Sequence, residues 1–508
     1  MKSFDYFQKM YERMLGQYLL LLMVCMLVEL PLSAQPPVQK RRFTLSEAIL
    51  QAQKASPEAQ AARHTYRSAY WNYRSFRANY LPEVSLTSDP YLNRQINRVT
   101  QPDGTEQFRA QNTLNTDLSL TVSQNVWFTG GSLFFQSSVN RMDELGGRTT
   151  SYNTQPFSIG YNQSFFGYNS LKWNRRIEPV RYREARKSYA ETLELIASQT
   201  CSYFYALASA QTNLSIALSN LASADTLWRY AQGRYRIGSI TENEMLQLEV
   251  NKLNEEAGVM QARMNVEDAM QTLRSFLGLA DGLDIEVLPT DSIVPFEVPA
   301  DEALRRAYEN SPEPENFKRR ILESKSNLAS AKASRGLKAD LYLQFGLSQT
   351  ASRFEDSYRD PLNQQYVRLS LAFPILDWGR GRGRVRVARS QLELTETQVG
   401  QAVDDFEQNV RKMVRQFNLQ ARQVTIAART EQTARRRYEV ALKLYLSGKS
   451  TILDLNAATS EKDEAQRNYI SSMETYWRLY YGLRSMTQYD FRTNRPLEHE
   501  LEEAELRQ

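Results

Sequence analysis

Two stretches of this chain, from about Asn169 to Gln232 and from Arg384 to Ser447, run for about 64 residues each with no strong helix breaker other than Pro179. At about 1.5 Å per residue each predicts a rod of roughly 95 Å. Along the first, Tyr189, Leu193, Ile196, Thr200, Tyr203, Leu207, Ala210, Leu214, Ala217, Leu221, Ala224 and Trp228 keep a four–three spacing. Val399, Val403, Phe406, Val410, Met413, Phe417, Ala421 and Val424 do the same along the second. A period of 3.5 held over several heptads specifies coiled-coil seams rather than a globular core. Many seam residues are small, so neighbouring helices can approach closely.

The rods belong to a plan that occurs twice. Phe43-Thr44-Leu45-Ser46-Glu47-Ala48 leads to Ser56-Pro57-Glu58, and 255 residues on Val298-Pro299-Ala300-Asp301-Glu302-Ala303 leads to Ser311-Pro312-Glu313. Each opens a helix, stops at Ser-Pro and restarts with Pro in the first turn. Tyr235-Arg236-Ile237-Gly238 recurs as Tyr445-Leu446-Ser447-Gly448, each ending a long helix at Gly. The expected layout is a first repeat over 35–297 (helices 44–80, 169–232 and 241–278, strands within 82–166). A second repeat follows over 298–489 (helices 300–336, 384–447 and 451–487, strands within 340–376), then a polar tail, 490–508.

The first 34 residues read as a cleaved export signal: Lys9 and Arg13, an apolar run from Leu19 to Val28, then Leu32-Ser33-Ala34 before Gln35. That run is too short to span a bilayer, which takes roughly 20 apolar residues. Cleavage would leave Cys201 as the single cysteine and exclude an intrachain disulfide. The 508 residues carry 63 Lys and Arg against 58 Asp and Glu, a mild excess that does not point to nucleic acid. Two histidines, His64 and His499, and two cysteines make a poor inventory for metal or nucleophilic chemistry. Ser447-Gly448-Lys449-Ser450-Thr451 lacks the first glycine and the preceding strand of a phosphate loop. Gly379-Arg380-Gly381-Arg382-Gly383-Arg384 is read as a flexible strand-to-helix turn in preference to an RNA-binding tract. The sequence predicts no enzyme and no cofactor.

No other stretch is apolar enough for a spanning helix, so membrane entry would have to be by strands. Leu114, Thr116, Leu118, Leu120 and Val122 alternate with Asn115, Asp117, Ser119, Thr121 and Ser123. Phe157–Tyr161, Leu341–Leu347 and Val367–Ile375 alternate too, with Val84–Leu92 and Leu133–Val139 as weaker members, six strands in all. Such alternation suits an outer-membrane barrel, and equally a soluble sandwich with one buried face. Trp127, Phe128, Phe165, Phe166, Tyr168, Trp173 and Trp378 fall where strands meet helices, as an interfacial girdle would.

From about Thr44 to Met486 the chain resembles the TolC-like outer-membrane efflux family. The marks are the duplicated Ser-Pro entry, the exit Phe373-Pro374-Ile375-Leu376-Asp377-Trp378-Gly379, and the Gly238 and Gly448 turns. The resemblance implies a mixed α and β membrane protein: a homotrimer with a transmembrane antiparallel β-barrel continued by a coiled-coil α-helical barrel. It further implies the outer membrane of a Gram-negative bacterium with its lipid, a periplasmic adaptor (membrane fusion) protein, and an inner-membrane transporter of RND or ABC type. By the same resemblance Asn243 and Glu244 occupy places like a Thr-Asp gate pair, Tyr445 matches a gate tyrosine, and Asp454 matches an acidic ring position. Ser450 stands where some members carry Arg, and Ala457 where a second Asp is found. An ordinary solvated helix N-terminus remains the alternative for Glu244 and Asp454. The pair Leu114–Val126 and Gly131–Arg141, joined by Thr129-Gly130-Gly131, exceeds the family's usual four strands. Passive conduction is the expected function, with a non-conducting cell-surface or envelope scaffold on a coiled-coil stalk as the alternative.

Overall fold

The structure is a computed structural model that describes residues 40–280, 282–289, 293, 295–447 and 449–497. The export signal, Gly448 and the last part of the tail lie outside the described residues. The chain divides into two compact units, one formed by residues 40–52 and Tyr203–Ile293, the other by Gln53–Ser202 and residues 295–497.

The elements in chain order begin with β1 (Lys40–Thr44), α1 (Leu45–Ala55) and α2 (Pro57–Ala78). Strands β2 (Glu83–Ser88), β3 (Tyr91–Thr100), β4 (Glu106–Val126), β5 (Gly131–Glu144) and β6 (Thr149–Phe165) come next, then α3 (Ser170–Arg236), α4 (Glu242–Phe276) and β7 (Asp284–Leu288). The remainder is α5 (Ala300–Asn310), α6 (Glu313–Ala333), β8 (Lys338–Ala351), β9 (Leu362–Ala372), α7 (Arg380–Leu446), α8 (Ile452–Thr487) and the short strands β10 (Tyr489–Asp490) and β11 (Arg495–Pro496). The rods α3 and α7 are 67 residues each, or roughly 100 Å. Pro179 lies inside α3 without ending it.

The Ser-Pro stops are not equivalent. Ser56 is buried and its Oγ accepts from the Ala59 amide at 3.1 Å, a true N-cap. Ser311 is equally buried, but its hydroxyl makes no cap bond. The Gly-Arg tract is not a flexible turn: α7 already starts at Arg380. The Asp377 carboxylate accepts from the Gly379 and Gly381 amides at 2.9 and 2.8 Å, which ties the left-handed cap residue Gly379 and the first turn of α7 to it.

In the first unit β1 pairs in parallel with β7 (Phe43 opposite Val287), and Gln211 locks β7 to α3 through the Ile285 carbonyl and the Val287 amide. In the second unit most seam residues are buried, Leu193, Ile196 and Thr200 on α3 and Val410, Phe417 and Ala421 on α7 among them, while Val403 and Met413 are half-buried. Cys201 is a free, buried thiol among the described residues. Tyr489 and Asp490 pair with Pro496 and Arg495, so the start of the C-terminal segment is part of the fold.

The second unit also holds one antiparallel sheet of seven strands in the order β2-β4-β5-β6-β8-β9, with β3 beside β2 on β4. Six strands were expected. Asp89 and Pro90 break the first into two, and both pieces pair along the 21-residue β4, whose first eight residues lie ahead of the alternation read in the sequence. Asn93, Gln95 and Asn97 opposite Thr113, Gln111 and Arg109, with Arg94 and Arg98 on the other face, leave no apolar face to read. The last strand stops at Ala372, not Ile375, because Pro374 cannot continue a ladder. The β4–β5 hairpin closes at Gly130, whose φ of +80° needs glycine. The sheet is open: β9 pairs only with β8, and β2 and β3 only with β4.

Candidate channel surfaces

The sheet is inside out. Its apolar face is exposed, with Leu120 at 41%, Val367 at 63% and Leu371 at 65%, while Thr113, Asn115, Ser119 and Ser158 on the polar face are buried. The buried groups find partners there. Gln136 Nε2 donates to Ser119 Oγ at 2.7 Å, and Ser158 Oγ to the Gln136 carbonyl at 3.3 Å. A soluble sandwich buries the leucines and wets the serines. Here each exposed leucine forgoes on the order of 2 kcal/mol of burial in water, so water is not the solvent this face is built for.

The polar face carries a cluster that pattern reading missed. Tyr342 lies between Phe134 and Tyr366, each ring centroid 5.7 Å away, with the Arg368 guanidinium 5.6 Å from the Tyr342 ring. Gly160 makes room for it, since a Cβ there would sit 2.1 Å from Phe134 Cζ. The available signal was three aromatics and an arginine in a register otherwise filled by polar residues and glycine.

All helix junctions lie at one end of the sheet, where Phe165 pairs with Ala339 and Lys338 with Ala372. Trp127 and Phe128 meet edge to face at 5.9 Å, and Arg175 lies 3.9 Å over the Trp127 ring. Asn169 Nδ2 ties the start of α3 to the Trp127 carbonyl at 3.0 Å. Phe165 and Phe166 are exposed, Trp378 is exposed to 88%, and Trp173 is half-buried with Arg176 5.8 Å from its ring. Tyr168 is turned onto the Ser326 hydroxyl at 2.5 Å. Phe166 and Trp378 both hold left-handed backbone, φ +63° and +55°. That costs roughly 1–2 kcal/mol for a residue with a Cβ, and it lets each strand turn sharply into its rod. Of the girdle residues, only Trp127 and Phe128 touch each other as a ring pair; the rest are distributed along the rim.

The expected gate residues fall at two helix turns, one in each unit. In the first unit Gly238 (φ +71°) ends α3, with the Ser239 amide donating to the Arg234 carbonyl at 2.8 Å. Thr241 and Glu244 form a reciprocal capping box: the Glu244 amide donates to Thr241 Oγ1 at 3.3 Å and the Thr241 amide to the Glu244 carboxylate at 2.9 Å. Asn243 beside them is exposed. In the second unit Asp454 accepts from Ser450 Oγ at 3.0 Å and Thr451 Oγ1 at 3.1 Å, while its amide donates to Thr451. Those hydroxyls, Ser450 first, hold its carboxyl below the usual aspartate range. Tyr445 is half-buried one turn before. Glu244 thus works locally in a capping box, whereas at the second turn Thr451 is the cap and the Asp454 carboxylate accepts from two hydroxyls, which brings Ser450 and Asp454 together. Exposed Ile237 and Leu453, at 77% and 76%, flank these turns and were not singled out in the sequence.

Among the described residues no group of three His, Cys, Asp or Glu side chains could hold a metal, and no helix is long and apolar enough to cross a membrane. Similar structures include the CmeC outer membrane channel of Campylobacter jejuni, at 14% identity and TM-score 0.64, covering 87% of this chain and 85% of that one. VceC, an outer membrane protein of Vibrio cholerae, is similar at 13% identity and TM-score 0.61, covering 87% and 95%. Toxin and drug export protein A of Aggregatibacter actinomycetemcomitans is 22% identical over 118 residues, a match that spans 23% of this chain and only 26% of that relative. Residues 130–279 and 307–477 match the family described as outer membrane efflux protein, well over half of the sequence. The chain belongs to the outer membrane efflux protein family, whose members are transport channels of the outer membrane and not enzymes.

Proposed function

We propose that three copies of this chain form a conduit that passively carries substrates from an inner-membrane pump across the periplasm and outer membrane. The carrying observation is the inverted sheet, with leucines outward, serines inward and both edges unpaired. Bare strand edges are not tolerated in hydrocarbon, so the β9 edge of one copy pairs with the β2/β3 edge of the next, head to tail, until the ring closes. Six columns per chain give about eighteen staves, a size that leaves an aqueous channel. In this reading the chain is two repeats, 35–297 and 298–489, exported by the signal at 1–34. The rods form the periplasmic α-helical barrel, which an adaptor protein joins to an RND or ABC transporter. Asn243, Glu244, Tyr445, Ser450 and Asp454 constrict the tip, and Trp127, Phe128, Phe165, Phe166, Trp173 and Trp378 mark the headgroup level. The name of the curated relative, a toxin and drug exporter, is compatible with this class of cargo.

The test is native mass spectrometry of extracted protein combined with planar-bilayer recording. A trimer with discrete conductance is expected, and Asp454→Ala should weaken its cation preference, since like charges around a narrow pore concentrate cations. A detergent-stable monomer, or a trimer that never conducts, would favour the scaffold reading instead.

A further inference from the structure

Cations gather at the end of the sheet where the helices join, one turn beyond the exposed aromatics. Rods α3 and α7 leave this end carrying Lys172 and Arg175, and Arg382 and Arg384, while α2 and α6 arrive at it with Arg77 and Lys332; all six are exposed. No carboxylate occurs in the adjoining stretches 70–80, 169–177, 324–338 or 379–392. Of the acids that adjoin these stretches, Glu178 and Glu323 both pair with Arg181, and Asp377 is occupied by two backbone amides. Helix energetics do not explain the pattern. The first turns of α3 and α7 hold no acid, whereas those of α1, α2, α4, α5, α6 and α8 all do. Cations at a helix start oppose its dipole, yet these lie on both starting and finishing turns. The patch is continuous with the exposed apolar face through Arg175, stacked on Trp127.

We propose that this rim binds the anionic headgroups of phospholipids in the leaflet that meets the helices. Aromatic side chains settle at headgroup depth, which sets guanidinium groups one turn further out level with the phosphates. The arginine fork matches a phosphodiester with two hydrogen bonds, and cations beside a bilayer are attracted to anionic lipid. The inference rests on the sheet being a membrane wall.

The test uses the full chain in micelles doped with equal phosphatidylglycerol and phosphatidylethanolamine, with bound lipids counted by native mass spectrometry. The parent should retain phosphatidylglycerol at least fivefold over phosphatidylethanolamine in low salt, and the preference should shrink as salt rises. Arg175→Gln/Arg382→Gln/Arg384→Gln should bring the ratio close to one while still inserting into zwitterionic bilayers. The Lys versions of the same three positions, which keep the charge and lose the fork, should fall between. A parent without preference, full preference in the Gln variant, or preference unaffected by salt would overturn the rim. A parent that inserts into no bilayer would overturn the membrane wall itself, and the rim with it.

Discussion

Replacing Arg484 by Met would strand a charge in the second unit. Glu194 of α3 has a fully buried side chain, and Arg484 of α8 covers it with only 16% of its own side chain exposed. Arg484 Nη2 donates to Oε1 at 3.0 Å and Nε lies 2.9 Å from Oε2. Nη1 lies 3.8 Å from Asp490, which accepts from Tyr480 Oη at 2.6 Å. Burial works against the guanidinium charge, but Glu194 and the neighbouring groups outweigh it and raise its pKa. Removing one member of such a pair costs about 3–5 kcal/mol, because the survivor keeps its desolvation and loses its counter-charge. Removing both, as Glu194→Leu/Arg484→Met, should fall within about 1 kcal/mol of the parent or above it. Chemical denaturation in micelles, followed by helical circular dichroism, measures the cycle. The expected signature is a single variant far less stable than the double. If the two lose equal stability, Glu194 is not stranded and the buried-pair argument fails.

Two further outcomes follow from local geometry. Gly160→Ala would drive a Cβ into Phe134 and to 2.7 Å from the Leu343 carbonyl and should reduce heat-stable assembled protein, costing about 1–3 kcal/mol as overpacking does; Phe134→Ala in the same chain should restore part of it, since the carbonyl stays, and no rescue at all would mean the aromatic cluster is not what Gly160 accommodates. Glu191 has its carboxyl raised to about 7, by burial first and then by the like charge of Glu313, so folding favours its protonated form. Its contribution is therefore present below about 4.3, the unfolded value, and is lost as pH rises through 7. Unfolding midpoints should show the parent more stable at pH 5 than at pH 8 by up to about 3 kcal/mol, with Glu191→Gln removing that difference; an equal pH dependence in both proteins would assign it elsewhere.

What could be read from the sequence was whatever is enforced by one repeating contact. The rods were legible because each heptad position meets the same kind of neighbour, and α3 runs only four residues past Gln232. The lower strands were legible because one face had to stay apolar. The upper parts of β3 and β4 were not, since neither face of Tyr91–Thr100 is consistently apolar. The Gly-Arg tract misled for another reason: glycine is a poor helix former, and here the Asp377 carboxylate, reaching forward to the Gly379 and Gly381 amides, supports the start of α7. At the turn after α3, Thr-x-x-Glu at Thr241–Glu244 is a capping-box signature, and that local role was legible.

Within the second unit the burial rule changes sign between the sheet and the rods. Along α7, Val410 and Phe417 are hidden, while along β9 Val367, Leu369 and Leu371 are exposed. Only a change of solvent reconciles both in one chain. The change occurs over 373–379 and 166–169, where Ile375 and Trp378 are among the most exposed apolar side chains and the left-handed residues Phe166 and Trp378 sit. From Ala339 at this rim to Leu347, β8 rises roughly 27 Å at about 3.4 Å per residue, or roughly 20 Å once tilted as barrel strands are. An outer-membrane barrel shows an apolar band of about 25 Å, so the alternating part of the sheet is close to the height a lipid wall requires. If the sheet is the membrane wall proposed above, the polar stretch of β3 and β4 stands beyond the lipid, where no face has to be apolar, and that accounts for its lack of alternation.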